Sequence, residues 1–486
     1  MQTIVEKVFV HAKLKPEHIA FVIENESVSY GELKKRIIQC AQYFTALGLQ
    51  PGDRIIVQGC YYSEFVISAL AAHLCHAVFV PIAKMSTQES VHTTAVQLNA
   101  KMTVTEFAIE PKGLTKHIHF SDIKTFPHFL PENEEFTYPD PDEVADILFT
   151  TGSTGTPKGV QLTHKSHVVS AEMRLREFQI RPDNVGITLV PLNHNAPLRE
   201  LYLNLYNGST FIFLDGIMRL KKMFAYMKQY HVTSIYIPPA NITILSQLTK
   251  DRISEYSNQL EFVYVASAPM QTEQQEFLRR TLPSVRLYFG YGSSENGSIS
   301  LLRFDRDTKA INCCGTPCPG VDIRILDDDF NQCPVGKSGM IAIKSNMNMK
   351  GYYNMPEINE KVFHDGFFIS NDIGYFDEEG FLYICGRNDD VINVGGLKVH
   401  PSEIESVVMN IDGIMDCICF QVSDPMSGQA TKLLIKTDDE FSLSVSDVTN
   451  YLSAFLEPYK IPKTIEIVDH IARTDNGKLD RKAYIV

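Results

Sequence analysis

The residues with the clearest chemical potential lie in one glycine-rich stretch. Residues 151–159 read Thr-Gly-Ser-Thr-Gly-Thr-Pro-Lys-Gly and directly follow the apolar run Ile147-Leu148-Phe149. Hydroxyls and free backbone N–H groups donate hydrogen bonds to phosphate oxygens, glycines allow close backbone approach, and a lysine adds positive charge. A flexible Ser/Thr/Gly linker is the alternative, but linkers seldom carry Pro-Lys-Gly before apolar sequence. Pro157 stands where a Walker A loop requires glycine, so the stretch predicts a phosphate-binding loop of another kind.

Four more short motifs follow this loop, and together they carry a family resemblance. They are Tyr291-Gly-Ser-Ser-Glu295, Ser370-Asn-Asp372-Ile-Gly374, Gly386-Arg387-Asn-Asp389-Asp390 and Arg473-Thr-Asp-Asn-Gly477-Lys478. In order, the five motifs resemble the signatures of the adenylate-forming superfamily, which contains acyl- and aryl-CoA synthetases, adenylation domains of nonribosomal peptide synthetases and beetle luciferases. The resemblance covers essentially the whole chain.

The resemblance implies ATP-dependent activation of a carboxylic acid. Attack on the α-phosphate expels pyrophosphate while charge builds on phosphate oxygens, so catalysis is chiefly positioning and cationic stabilisation. In relatives the motif tyrosine stacks on adenine, and the motif aspartate and arginine bind the ribose. The ATP-binding residues implied in this way are Thr151, Gly152, Ser153, Thr154, Gly155, Thr156, Lys158, Ser267, Ala268, Pro269, Tyr291, Gly292, Asp372 and Arg387.

Catalytic roles follow from the same resemblance. Glu295 is the expected Mg²⁺ ligand, because hard oxygen suits that ion, and Ser294 keeps the hydroxyl expected at the α-phosphate. Lys478 is the expected cation that bridges the carboxylate and the α-phosphate. Read alone, Glu295 and Lys478 would be ordinary surface charges, and Asp372 a turn former. The chain departs from the family pattern with Ser294 for threonine, Asn371 for glycine and Ala472 for proline.

An acid pocket is expected around Pro191-Leu-Asn-His194-Asn195-Ala-Pro. Enzymes for α-amino acids place an aspartate at the position of Asn195, and an amide cannot pair a buried ammonium. His194-Asn195 resembles the standalone aryl-acid ligases, whose asparagine hydrogen-bonds a ring hydroxyl; His194 is also a catalytic candidate, or else a core histidine. The pocket residues carried over from the family are His194, Asn195, Ala196, Arg199, Ala240, Val263, Val265, Gly290, Ser298 and Ile299.

Arg199 is the anomaly of that pocket. It falls one helical turn beyond Asn195, and a buried guanidinium needs an anionic partner. One hypothesis is that Arg199 reads a second acidic or hydroxyl group on the substrate. A salt bridge to Glu200 or to another carboxylate is an equally simple alternative.

Composition limits the other function classes. The chain has 486 residues, 44% of them hydrophobic and 21% charged, and a net charge of −13, which argues against nucleic acid or an anionic membrane as a general partner. No signal peptide is evident, and residues 65–82 read as a buried helix followed by a strand. Ten scattered cysteines fit a reducing cytoplasm and lack zinc-type spacing.

Short apolar runs alternate with helical patterns through the first three quarters of the chain, which predicts an α/β fold. Examples are the predicted strands at residues 54–58, 186–190, 210–214, 233–237 and 262–265. We expect a large N-terminal domain of two α/β layered sheets, with a small β-rich subdomain from about Thr316 to Phe381, and a small mobile α+β C-terminal domain. Residues 111–141 are polar and proline-bearing and read as an exposed connection.

The predicted domains are residues 1–387, a hinge at 388–390 and residues 391–486. Asp389 matches the position about which the family rotates its small domain between two half-reactions. After rotation, Gly395-Gly396-Leu397-Lys398 would help form a pantetheine tunnel, although a simple hairpin turn before a helix at Pro401 is equally compatible.

The predicted activity is formation of an acyl-AMP followed by transfer to a phosphopantetheine thiol, either of CoA or of a separate carrier protein. Residues 395–401 favour CoA slightly, and no carrier-domain serine motif follows Lys478. The acid is expected to be a non-amino acid, aryl or short acyl. A catalytically silent ATP- or ligand-binding scaffold is the alternative, and a dinucleotide oxidoreductase is disfavoured because no GxGxxG follows an early strand.

Overall fold

Four β-sheets and 13 α-helices make up the described part of the chain. The computed structural model describes residues 1–107, 116–126, 136–150, 157–309, 312–438, 443–473 and 479–484. The predicted α/β architecture is confirmed, with two large mixed sheets, a small β-rich sheet and a C-terminal α+β unit. No helix within these described ranges is long and apolar enough to cross a lipid bilayer.

A nine-stranded sheet forms one layer. Its central strands pair in parallel and its two ends are antiparallel, so the interior strands are buried on both faces and consist largely of apolar residues. Its strands in spatial order are β15 (Thr316–Pro317), β14 (Gly297–Arg303), β13 (Arg286–Ser293), β12 (Phe262–Ala266), β11 (Ser234–Ile237), β9 (Val185–Thr188), β10 (Thr210–Phe213), β1 (Ile19–Ile23) and β2 (Glu26–Ser29).

A seven-stranded sheet forms a second layer. One extensive hydrophobic cluster contains buried residues of both large sheets and of the helices packed on them, including Phe21, Phe65 and Phe79. The strands of this sheet are β18 (Gly351–Tyr352), β8 (Lys158–Thr163), β7 (Val144–Thr150), β4 (Val78–Ile82), β3 (Arg54–Gln58), β5 (Met102–Thr105) and β6 (Lys116–His119).

Two five-stranded sheets lie later in the chain. The first contains β16 (Asp322–Leu326), β17 (Gly339–Lys344), β20 (Phe367–Phe376) and β19 (Phe363–His364), with β21 (Leu382–Arg387) beside β20. The second contains β23 (Leu397–Val399), β22 (Ile392–Val394), β25 (Gly428–Thr437) and β24 (Ile414–Asp424), with β26 (Thr464–Ile467) beside β25. The second sheet has a hydrophobic cluster of its own, drawn from residues 392–465.

Helices cover these sheets and begin at capping residues that the sequence supplies. Ser29 accepts a hydrogen bond from the Glu32 backbone N–H, and Ser444 accepts one from the Asp447 backbone N–H in the same way. The helices are α1 (Ile4–Leu14), α2 (Tyr30–Ala46), α3 (Ser63–Leu74), α4 (Gln88–Leu98), α5 (Phe120–Thr125), α6 (His164–Glu177), α7 (Asn195–Asn207), α8 (Leu220–Gln229), α9 (Pro239–Thr249), α10 (Thr272–Thr281), α11 (Pro356–Val362), α12 (Pro401–Val408) and α13 (Val445–Phe455).

Two local expectations had opposite outcomes. The buried helix and strand predicted over residues 65–82 are confirmed as α3 and β4, whose residues are buried throughout. The exposed connection predicted over residues 111–141 is wrong for residues 116–126, which form β6 and α5. There Ile118, Phe120 and Ile123 are buried, because β6 extends the seven-stranded sheet and α5 covers that edge.

Candidate functional site

Three predicted nucleotide-binding residues, distant in sequence, lie together where the end of β13 meets strands β20 and β21 of the small β-rich sheet. The Tyr291 hydroxyl, at the end of β13, donates to Asp372 Oδ2 at 2.5 Å. Asp372 pairs directly with Arg387 across strands β20 and β21, and Arg387 Nε lies 4.0 Å from Asp372 Oδ1. Burial and the neighbouring Asp372 carboxylate raise the pKa of Tyr291, so the hydroxyl stays protonated and remains a donor. Asn371 lies within strand β20 without a positive φ, so its replacement of glycine imposes no backbone strain.

The turn after β12 holds the predicted residues Ser267, Ala268 and Pro269. Ser267 has a φ of +85°, a left-handed conformation that is unusual for a non-glycine residue, and its Oγ lies 2.8 Å from the Tyr236 hydroxyl. The turn follows the carboxyl end of a parallel strand, which is where open α/β sheets bind ligands.

A second cluster joins the predicted metal ligand to the end of the predicted phosphate loop. The Tyr352 hydroxyl, on β18, donates to Glu295 Oε1 at 2.9 Å. Lys158 Nζ, at the start of β8, lies 5.3 Å from the centre of the Tyr352 ring. Since β18 pairs with β8, one tyrosine touches both the carboxylate and the ammonium group. Sequence reasoning missed Tyr352, because nothing in residues 351–352 signals contact with a motif nearly 60 residues earlier.

The hairpin of β13 and β14 positions these residues. Its turn carries Ser294, Glu295 and Asn296, and Asn296 Oδ1 accepts from the Ser293 backbone N–H at 2.8 Å. A Cβ on Gly292 would lie 1.7 Å from the Gly297 carbonyl oxygen, so only glycine fits there. Glycine therefore lets the two strands approach closely enough to hold the Glu295 turn.

The predicted acid pocket begins at α7, which His194 precedes as the N-terminal capping residue. Leu198, Leu201, Tyr202 and Leu205 recur at helical spacing and bury one face of α7. Asn195 and Arg199 lie one turn apart on this helix, and Arg199 Nε donates to Asn195 Oδ1 at 3.1 Å.

The Arg199 side chain is buried, with 4% of its surface exposed. Its Nη1 donates to the Ser166 backbone carbonyl at 3.4 Å, and the guanidinium packs against Gly297, where a Cβ would lie 2.9 Å from Nη1. Burial and the nearby Arg174 guanidinium lower the pKa of Arg199 to about 10. Glu200, considered as a partner from the sequence, instead pairs with Arg174.

Other predicted pocket residues divide between two sides of the sheet. Gly290 and Ser298 come together at Tyr264, whose hydroxyl lies 2.7 Å from Ser298 Oγ and would overlap a Cβ on Gly290. Sequence reasoning named Val263 and Val265 and missed Tyr264, which lies between them on the strand. Successive strand residues face opposite sides, so both valines point away from Tyr264 and are buried in a hydrophobic cluster. Ile299 is likewise buried in a cluster, and Ala240 is exposed near the start of α9.

A buried polar cluster behind the pocket was also missed. Asp146 on β7 lies 2.9 Å from His73 Nε2 and 2.8 Å from His167 Nε2, and His164 packs edge-on against His73. Burial raises the pKa of Asp146, but the two imidazoles outweigh it and hold the pKa well below its usual range. These residues come from α3, β7 and α6, and no spacing in the sequence brings them together.

Several predicted residues have other locations or fall outside the described ranges. Residues 151–156 and Lys478 lie outside the described residues. Asp389 is exposed in a short 3₁₀ turn, Asn388–Asp390. Gly395 and Gly396, both with positive φ, form the turn between β22 and β23, as the hairpin alternative expects.

Comparison with known proteins supplies the context for this geometry. The family described as AMP-binding enzyme matches residues 8–353, and the AMP-binding enzyme C-terminal domain matches residues 403–478. A feruloyl-CoA synthase of an Amycolatopsis species is 27% identical over 478 residues, covering 96% of this chain and 95% of that protein. A 2-succinylbenzoate–CoA ligase of Bacillus licheniformis is 26% identical, covering 97% of each chain. The structure of ATP-bound MatB from Rhodopseudomonas palustris superposes with a TM-score of 0.89 at 25% identity, covering 98% of this chain and 99% of that one.

Proposed function

This chain belongs to the AMP-binding enzyme family, and from that premise we propose that it is an ATP-dependent acid–thiol ligase. It joins a carboxylic acid to the α-phosphate of ATP, releases pyrophosphate, and passes the acyl group from the acyl-AMP to the thiol of CoA. The relatives named as CoA synthases and ligases support this reaction class.

One observation carries the assignment of the site. The β13–β14 hairpin holds Tyr291 at the Asp372 carboxylate, Glu295 at Tyr352 and Ser298 at Tyr264. A single hairpin therefore connects the residues proposed for the nucleotide, the metal ion and the acid. Such a link suits a reaction in which an acid oxygen must meet a phosphorus atom held in place.

The residues fit a magnesium–ATP complex. Glu295 Oε1 accepts from Tyr352, which orients the carboxylate and leaves Oε2 for a hard cation. Glu295 would hold Mg²⁺, which supplies charge neutralisation for the phosphates. Lys158, with the hydroxyls of residues 151–156, would hold the β- and γ-phosphates, and Ser294 the α-phosphate. Lys478 would bring its ammonium group to the acid carboxylate and the α-phosphate.

The acid is proposed to be a non-amino acid. Asn195 carries no charge for a substrate ammonium group, and leaving that ammonium unpaired in a buried pocket would be costly. The feruloyl and 2-succinylbenzoate groups in the names of two relatives are both aromatic, which supports an aryl or short acyl acid.

The second half-reaction is proposed to use a rotation of residues 391–486 about the turn at 388–390, against residues 1–387. The separate hydrophobic cluster of residues 392–465 supports a unit that can move as one body. The β22–β23 hairpin would then approach the site with the pantetheine arm of CoA or, as a second choice, of a separate carrier protein. All ten cysteines are free, which supports a reducing cytoplasm as its location.

Acid-dependent exchange of radiolabelled pyrophosphate into ATP tests this function. We expect exchange with aryl or short acyl acids, and its loss in Glu295→Gln. Glu276→Gln, which removes an exposed carboxylate on α10, is the matched control and should retain exchange. A protein that binds ATP but exchanges no pyrophosphate with any acid would instead be the silent scaffold.

A further inference from the structure

We infer that the acid activated by this chain carries a second carboxylate, which binds the Arg199 guanidinium and the Asn195 amide nitrogen. The inference rests on the proposed ligase function and names its substrate class.

The first step concerns the donors of Arg199. A guanidinium carries five N–H donors and no acceptor. In this structure Nε and Nη1 have partners, but Nη2 is buried and has none among the described residues. A buried donor without a partner is costly, and a buried charge more so, which indicates that a ligand completes the site.

The second step concerns the carboxylates near Arg199. The two buried arginines, Arg174 and Arg199, face one carboxylate within ion-pair distance, Glu200, which pairs with Arg174. Asp146 also acts electrostatically on Arg199, but its two oxygens already lie against His73 and His167. Within the described residues, then, no carboxylate lies within ion-pair distance of Arg199.

The third step concerns the orientation of Asn195. Because Arg199 Nε can only donate, it fixes Asn195 Oδ1 towards itself. The two N–H donors of Asn195 Nδ2 are thereby left for a ligand, beside the unpaired Nη2. A ring hydroxyl could accept from Nδ2, but it would bring no negative charge to Arg199, whereas a carboxylate satisfies both groups.

The fourth step places this group in the acid pocket. The guanidinium packs against Gly297, the residue before Ser298, and Ser298 contacts Tyr264. Burial raises the pKa of Tyr264 to about 12, so its hydroxyl is neutral and does not supply the missing anion. The anion therefore has to come with the substrate.

The test is pyrophosphate release with a panel of C3 to C8 and benzene dicarboxylic acids, each beside its monomethyl ester and a monocarboxylic acid of equal length. We expect the wild-type enzyme to favour one diacid over its ester by at least about 100-fold in kcat/KM. Arg199→Gln should lower this ratio by at least about tenfold, since the charge is lost while a hydrogen-bonding amide is kept. Asn195→Asp should do the same, because it supplies Arg199 with a carboxylate from the protein and repels that of the substrate. Arg181→Gln, at an exposed arginine, is the control.

Other outcomes separate this inference from the ligase function. Release with monocarboxylic acids or monomethyl esters only, or a ratio unchanged in both variants, upholds the ligase and overturns the second carboxylate. If no acid releases pyrophosphate, calorimetry of the same diacids with the ATP-loaded protein decides. Diacid binding that is lost in Arg199→Gln then supports the second carboxylate and contradicts the ligase. Diacid binding that is unchanged in Arg199→Gln, or no diacid binding at all, contradicts both.

Discussion

At the scale of single residues, two tyrosine hydroxyls donate to the two carboxylates that we propose bind the nucleotide and its metal ion. Tyr291 donates to Asp372, and Tyr352 donates to Glu295 while its ring lies beside Lys158. A carboxylate that accepts a fixed hydrogen bond has already lost rotational freedom before the ligand arrives. The conformational-entropy cost of ligand binding is therefore smaller. We therefore propose that these tyrosines are positioning residues for nucleotide and metal binding.

Tyr352→Phe tests this positioning. It removes the bond to Glu295 and keeps the ring beside Lys158, so we expect kcat/KM for magnesium–ATP to fall about tenfold, the worth of one hydrogen bond to a charged group. The Mg²⁺ concentration for half-maximal rate should rise in steady-state assays. Tyr353→Phe is the matched control, because its hydroxyl donates to the Leu98 carbonyl instead. An unchanged Mg²⁺ dependence in Tyr352→Phe would contradict the proposed role.

His164 gives a second residue-scale prediction, on stability. Burial, and next the neighbouring His73, lower the pKa of His164 well below its ordinary value, so the folded protein keeps it neutral. Below about pH 6.5 only the unfolded chain takes up that proton, and the folded state loses about 1.4 kcal/mol per pH unit from this group. Denaturant unfolding from pH 7.5 to 5.5 should show the loss, with a shallower slope in His164→Gln. His231→Gln, at an exposed histidine, should leave the slope unchanged, and equal slopes in all three proteins would refute the prediction.

At the scale of elements, the β13–β14 hairpin joins the residues proposed to bind the nucleotide, the metal ion and the acid. Its close strand approach depends on the missing side chain at Gly292, whose Cβ would meet the Gly297 carbonyl. The same strands present Ser298 to the pocket and Ile299 to the core, because successive residues face opposite sides.

Gly292→Ala should therefore displace the turn that carries Glu295. We expect at least about a 100-fold loss of pyrophosphate exchange, since a shift of about 1 Å at a positioned group costs that much. Gly216→Ala is the control: Gly216 has a φ of +81° and open space around it, so alanine there should cost about 1 kcal/mol of stability and leave exchange intact. Equal activities of the two variants would show that the hairpin does not position the site.

At the scale of the whole molecule, the proposed rotation about Asn388–Asp390 connects the two half-reactions. Asp389→Pro restricts the backbone at this turn, and Asp389→Ala leaves it free. We expect the proline variant to change the ratio of adenylate formation to thioester formation by at least about tenfold, because the two steps need different backbone angles. Single-turnover assays of each step measure this ratio, and the same ratio in both variants would exclude a hinge at Asp389.

Much of this architecture could be predicted from the sequence, because buried parallel strands and amphipathic helices leave local patterns. The α3–β4 pair and the strands predicted at residues 54–58 and 262–265 are examples, the last of which ends one residue later, at Ala266. The contacts of Tyr352, Tyr264 and Asp146 could not be predicted from the sequence, because each depends on strand pairing or helix packing between distant segments. The prediction of an exposed connection is wrong for residues 116–126, because only three apolar residues in this otherwise polar segment pack β6 and α5 against the core.

The central proposal is that the chain makes an acyl-AMP with Lys478 as the catalytic cation. Mass spectrometry of a single turnover with ATP and the preferred acid, without CoA, tests it most directly in wild type and Lys478→Ala. We predict an acyl-AMP in the wild type that disappears when CoA is added, and loss of acyl-AMP in the variant with ATP affinity retained. Undiminished acyl-AMP formation by Lys478→Ala, or none by the wild type with any acid, would contradict the claim.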